Sequence, residues 1–113
     1  IMDALQLPYR VIKLAAGDLG FPSAKTYDIE TWIPSEGKYR ETHSTSNTTT
    51  YQSRRLNIRY RNQDGKTEKV HMLNGTAVAI PRLLIGLIEH HQQQDGTVAI
   101  PEILRSYVPF TAL

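Results

Sequence analysis

The sequence predicts an α+β domain, an antiparallel β-sheet flanked by helices, and three observations predict it. Short segments between Tyr9 and Leu73 alternate apolar and polar residues at the period of a strand. Glycine, proline, asparagine and aspartate stand between those segments, where turns need them. After Asn74-Gly75 the period changes, and apolar residues recur at the spacing of one helix face. Several strands followed by one long helix give a sheet with a helix packed across it.

The elements follow in order. Residues 1–6 (IMDALQ) read as the end of a helix, and Tyr9 to Ala16 (YRVIKLAA) as a first strand. Gly17, Gly20 and Pro22 punctuate a loop. Lys25 to Pro34 (KTYDIETWIP) is the cleanest strand, with Tyr27, Ile29, Thr31 and Ile33 expected on one face. Thr26, Asp28, Glu30 and Trp32 fall on the other. Pro34 and Gly37 turn the chain, and Lys38 to Thr45 returns as the antiparallel neighbour. Asn47 to Ser53 reads as a turn with one helical turn in it. Leu56 to Arg61 (LNIRYR) and Thr67 to Leu73 (TEKVHML) form a hairpin through Asn62, Asp64 and Gly65. Ile80, Leu83, Leu84, Leu87, Ile88 and His91 line one side of a helix that starts near Pro81, where proline fits the first turn. Gly96 ends it; Val98 to Ile100 is extended, and Pro101 to Ser106 is a short terminal helix.

Composition narrows the function classes. The 113 residues carry 13 basic and 11 acidic side chains, a net charge of +2, too small to argue for nucleic-acid binding alone. Arg59, Lys66 and Lys69 on the hairpin read as ordinary surface charges. There is no cysteine, which excludes disulfides, thiolate metal sites and cysteine nucleophiles. No apolar run approaches the roughly 20 residues that cross a bilayer. The chain opens on Ile1 rather than methionine, so residues upstream are expected to belong to the same protein. His90 and His91 are sequence neighbours and diverge on a helix, and His43 and His71 lie on different strands, so zinc is not expected. There is no phosphate-binding glycine loop of the GxxxxGK type, no GxGxxG and no GxSxG.

Two polar clusters remain. Asn74, Gly75 and Thr76 end a strand at a turn where glycine allows close approach, and Arg82 stands in the first turn of the following helix. Arginine's planar fork suits phosphate oxygens and stacking on a flat ring. An Asn-Gly turn, a threonine N-cap and a solvent-facing arginine account for the same spacing. Arg40, Glu41, Ser44 and Ser46 form the second cluster, a carboxylate near hydroxyls of the kind that suits Mg²⁺. A plain polar strand face is the ordinary account of the same residues.

What lifts both clusters is a set of motifs in register. KTYDIETW (25–32), YRETHSTSN (39–47), QSRR (52–55), HMLNGTAVAIPR (71–82) and QQQDGTVAIPEILR (92–105) resemble, in this order and spacing, the seryl-tRNA synthetases. The likeness runs from Leu7 to Tyr107. It implies the C-terminal part of a class II synthetase catalytic domain over residues 1–113, with residues 76–89 as the third class-defining motif. That family joins serine and ATP into seryl-adenylate, releases pyrophosphate and passes the seryl group to tRNA(Ser). By resemblance the ATP-binding residues are Glu41, Thr42, His43, Ser44 and Arg82, with Arg82 on the adenine and γ-phosphate. Glu41, with Ser44, is the side that holds Mg²⁺. Asn74 and Thr76 bind the serine. No residue is expected to act as nucleophile or base. A homodimer is implied, away from any membrane, in a bacterial cytoplasm or a mitochondrial matrix.

Two departures bear on this. His43-Ser44-Thr45-Ser46 stands where the family usually has Ser-Ser-Cys-Ser, and the first two class motifs lie outside this sequence. The isolated chain is therefore expected to be inactive. The alternative is a catalytically inactive synthetase-like module for interaction or RNA association.

Overall fold

The computed structural model describes residues 1–113, and they form two compact units. The first comprises Ile1–Val11, Ile29–Thr42 and Val78–Leu113; the second comprises Ile12–Asp28 and His43–Ala77. The strands are β1 (Tyr9–Lys13), β2 (Lys25–Ile33), β3 (Lys38–Thr49), β4 (Arg59–Arg61), β5 (Thr67–Lys69) and β6 (Met72–Thr76). The helices are α1 (Tyr51–Leu56) and α2 (Ile80–His91). β1, β2, β3 and β6 make one sheet in the order β1-β2-β3-β6, and β4 pairs with β5 in a separate ribbon. The expected α+β class stands, with an antiparallel sheet and few helices.

In the first unit α2 covers a small core. Met2, Leu5 and Leu7 are buried, and Ile29, Leu83, Leu87 and Leu104 pack on them. Gly86 sets the depth of the helix: a Cβ there would stand 3.1 Å from Thr31 Cγ2 and 3.6 Å from Ile33 Cδ1. Backbone and side-chain ties hold α2 at both ends. The Ala79 N–H donates to the Thr42 carbonyl at 2.7 Å. At the other end His90 Nε2 donates to the Trp32 carbonyl and His91 Nε2 to the Leu5 carbonyl, each at 2.9 Å. A carbonyl only accepts, so both rings carry their proton on Nε2. The Glu89 carboxylate accepts from the Ser35 N–H at 2.8 Å and from its hydroxyl at 2.6 Å.

In the second unit β6 lies antiparallel to β3, with Ser44 opposite Thr76, Thr45 opposite Gly75 and Ser46 opposite Asn74. The register slips between Asn47 and Thr49, and Thr49 takes φ 47°. The buried Thr48 hydroxyl donates to the Met72 carbonyl at 3.0 Å. Thr26 and Ser46 share a hydroxyl–hydroxyl bond of 2.7 Å.

Several expectations need correction. Residues 1–6 make hydrogen-bonded turns, Leu5 N–H to the Ile1 carbonyl among them, rather than a helix. β1 stops at Lys13, because Ala16–Asp18 winds into a 3-10 turn. Leu56 belongs to α1, not to a strand, and Asn57 caps that helix in the left-handed region at φ 56°. The expected return strand over 67–73 is two strands: β5 pairs with β4, and Met72 onward leaves the ribbon to pair with β3. The terminal helix shrinks to a 3-10 turn over Glu102–Leu104. Along β2 the buried residues are Thr26, Asp28, Thr31 and Ile33, so burial changes phase between Asp28 and Thr31. The Thr42 hydroxyl, donating to the Ile29 carbonyl at 3.2 Å, sits at that irregular point.

Candidate functional site

The residues singled out in the sequence divide between the two units. In the first, Glu41 and Thr42 lie on β3 and Arg82 on the first turn of α2. The tie from Ala79 to Thr42 brings the start of α2 alongside β3. Arg82 then reaches back across it: its Nη1 donates to the Glu41 carbonyl at 2.5 Å and lies 3.9 Å from Glu41 Oε2. The two side chains keep 45% and 42% of their surface exposed, so the pair is open to solvent on one side. One of the guanidinium's five N–H donors is spent on the carbonyl. The contact to the carboxylate is too long for a bidentate fork, so Glu41 keeps its capacity for a cation. Thr42 contributes backbone only, since its side chain is fully buried and bonded to Thr31 Oγ1 at 2.9 Å.

In the second unit Ser44, Asn74 and Thr76 come together across the β3–β6 ladder. Asn74 and Thr76 are exposed and Ser44 is half-buried. A shallow cavity of about 300 Å³ runs along Leu73, Asn74, Gly75, Thr76 and Ala77, with Thr45 on its wall. Gly75 makes the close approach possible: a Cβ there would lie 2.8 Å from the Ser44 carbonyl oxygen. His43 is only 7% exposed, and burial holds its imidazole below the ordinary histidine range. Its ring is part of the interior, so a ligand contact at this position would run through the backbone.

Thr76 ends β6 and does not cap α2; the N-cap residue is Ala79, without a side-chain cap. Sequence reasoning missed Ala79, Ser35 and Glu89 as the groups that fix α2. Two of those ties use backbone atoms, which no residue pattern records.

An antiparallel sheet with few helices, in which strand β6 is followed by helix α2, is the architecture of a class II synthetase core. Residues 1–91 match the tRNA synthetase class II core domain (G, H, P, S and T), and the chain belongs to that family. Within it the resemblance is to the serine enzymes. The chain is 55% identical over 107 residues to a serine–tRNA ligase of Elusimicrobium minutum, covering 95% of this chain and 25% of that protein. It is 56% identical over 108 residues to the serine–tRNA ligase of Caldicellulosiruptor bescii, covering 96% and 26%. Among solved structures, a Pyrococcus horikoshii seryl-tRNA synthetase complexed with ATP superposes with a TM-score of 0.92 at 49% identity, covering 98% of this chain and 25% of that one. A cytoplasmic serine–tRNA ligase from Naegleria fowleri in complex with AMP gives 0.86 at 38% identity, covering 97% and 26%. The chain thus spans about a quarter of the length of these relatives.

Proposed function

We propose that this chain supplies part of the serine-activating site of a seryl-tRNA synthetase, with residues 76–89 as its third class motif. The observation that carries the reading is the Arg82–Glu41 contact, made by the residues the resemblance assigns to ATP, in a chain of the class II family. In the reaction the serine carboxylate attacks the α-phosphate in line and pyrophosphate leaves; the seryl group then passes to a hydroxyl of the terminal adenosine of tRNA, and AMP leaves. Such a displacement needs positioning and charge neutralisation rather than a protein nucleophile.

The residues have separate tasks in this reading. Arg82 lays its guanidinium plane on the adenine and offers its remaining donors to the γ-phosphate. The Glu41 carboxylate would hold the Mg²⁺ that accompanies ATP, and the ion would supply charge neutralisation there; an ion of this kind takes one or two carboxylates plus phosphate oxygens. Thr42 and His43 contribute backbone groups, and Ser44 a hydroxyl toward the nucleotide and its metal. Asn74 and Thr76 hydrogen-bond the serine, and the narrow crossing at Gly75 keeps their two side chains in place. A homodimer belongs to the same reading.

Serine-dependent exchange of labelled pyrophosphate into ATP by the full-length protein tests this. Exchange that requires serine and is lost in Arg82→Ala is the expected result. Exchange that is independent of serine, or insensitive to that substitution, overturns it.

A further inference from the structure

The β4–β5 ribbon places like charges against each other without compensation. Arg59 stands directly opposite Lys69 in the register, and Arg61 opposite Thr67, so Arg59, Arg61 and Lys69 share one face. Like charges facing each other across an antiparallel pair are destabilising. The fold nevertheless gathers them. The Asn57 side-chain carbonyl oxygen accepts from Arg59 Nε at 3.1 Å and from Lys69 Nζ at 3.0 Å, drawing both cations to one point. Asn57 itself is held in the left-handed cap of α1, whose last turn carries Arg54 and Arg55. Burial, then the Arg59 and Arg54 guanidiniums, hold the Lys69 ammonium below the ordinary lysine range.

None of Arg54, Arg59, Arg61 or Lys69 pairs with a carboxylate. The ribbon's own glutamate, Glu68, faces the other way opposite Tyr60 and is taken up by the Tyr60 hydroxyl at 2.8 Å and Asn62 Nδ2 at 2.7 Å. Asp64 lies away in the connecting loop. The ordinary reading of surface charges leaves this one-sided arrangement without a cause.

We infer that the Arg59–Arg61–Lys69 face of the β4–β5 ribbon binds backbone phosphates of RNA, and, on the proposed function, those of the tRNA substrate. A ribbon with cations on one face and neutral polar groups beside them matches a phosphate backbone, which is recognised by charge rather than by sequence. A membrane-surface element sets apolar side chains beside its basic ones. This face has none: its other members are Asn57 and Thr67.

The test uses the full-length protein and a tRNA(Ser) transcript. Binding is measured over a range of salt concentrations for wild type, for the R59Q/R61Q/K69Q triple variant and for R59K/R61K. Each phosphate-binding cation removed should flatten the plot of log affinity against log salt by about 0.7–0.9, so the triple variant should lose about 2–3 from the slope. R59K/R61K should keep the wild-type slope, which separates charge from folding. Serine-dependent pyrophosphate exchange, which uses no tRNA, should stay within about twofold of wild type in the triple variant, since these residues lie on no element of the proposed activation site. A triple variant with an unchanged slope overturns the inference. So does binding of phosphatidylserine vesicles or polyglutamate that needs the three cations while tRNA binding does not. Failure of wild type to exchange pyrophosphate would sink the proposed function, and the tRNA salt slope would still decide the ribbon's role.

Discussion

Arg82 donates through Nη1 to the carbonyl oxygen of Glu41, 2.5 Å away, and brings its guanidinium to within 3.9 Å of that residue's carboxylate. The contact spans 41 positions of sequence and joins the first turn of α2 to β3. It occupies one edge of the arginine fork. Substitution by lysine tests what the fork is for. A lysine ammonium is a point charge; it cannot reach the carbonyl, spread over adenine and give a forked contact to phosphate together. In the full-length protein Arg82→Lys should lower kcat/KM for ATP in pyrophosphate exchange by about 30- to 1,000-fold, equivalent to roughly 2–4 kcal/mol. The thermal midpoint should scarcely move, because both side chains are nearly half exposed. Activity within about threefold of wild type would reduce Arg82 to a surface residue.

Gly75 is a steric requirement of the β3–β6 ladder. The Cβ of an alanine would stand 2.8 Å from the Ser44 carbonyl oxygen and 3.1 Å from Thr45 Oγ1. The first neighbour is backbone in a paired strand and cannot swing aside. Gly75→Ala should therefore push β6 off its register, costing about 1–3 kcal/mol as overpacking does. Asn74 and Thr76 move with it. The KM for serine should rise more than the KM for ATP, and equal effects on both would argue against a serine-holding role for this turn.

How far the sequence could be read depended on how far local pattern decides structure. β2 and α2 were legible because nine and twelve residues of one period leave little room for another assignment. β3 ran four residues beyond its expected end, through Ser46–Thr49, a polar stretch whose alternation is weak and whose partner is β6. Leu56 misled because an apolar residue before Asn-Ile fits a strand as well as the end of α1; the positive φ of Asn57 decides it. The alternation from Thr67 to Leu73 continues unbroken while the strand changes partner, and period two carries no record of which neighbour a strand has. The assignment of Glu41, Ser44, Asn74, Thr76 and Arg82 to a site rests on resemblance alone. Spacing alone could not place Arg82 on Glu41, and it gave no sign that the His43 ring is interior.

Gly86 sets two effects against each other. Alanine in a helix interior is favoured over glycine by about 0.8–1.0 kcal/mol. The added methyl, however, would lie 3.1 Å from Thr31 Cγ2, 3.6 Å from Ile33 Cδ1 and 4.0 Å from Leu7 Cδ1. Thr31 and Ile33 are 0% and 1% exposed, so neither has space to yield. Overpacking of a closed core costs about 1–3 kcal/mol and should outweigh the propensity gain. Gly86→Ala is expected to destabilise the protein by about 1 kcal/mol in urea unfolding, with the denaturant slope unchanged. A stabilised variant would mean that α2 can lift from β2 at little cost.

Glu89 ties α2 to the turn between β2 and β3, and its protonation should be visible in stability. The Ser35 hydroxyl and N–H both donate to its carboxylate and hold its pKa below the ordinary glutamate value. The sign follows from linkage: the unfolded chain binds the proton more readily, so the contribution is fully present above the unfolded glutamate pKa of about 4.3 and fades as pH falls through the folded value. Glu89→Gln keeps one acceptor oxygen and replaces the other with a donor, which cannot serve both Ser35 groups. The variant should melt below wild type at pH 7, and the gap should close as pH drops below about 4. Thermal midpoints of both proteins between pH 7 and 3 measure this directly. A gap that is constant across the range would show that the loss comes from packing of the side chain and not from the charge that Ser35 stabilises.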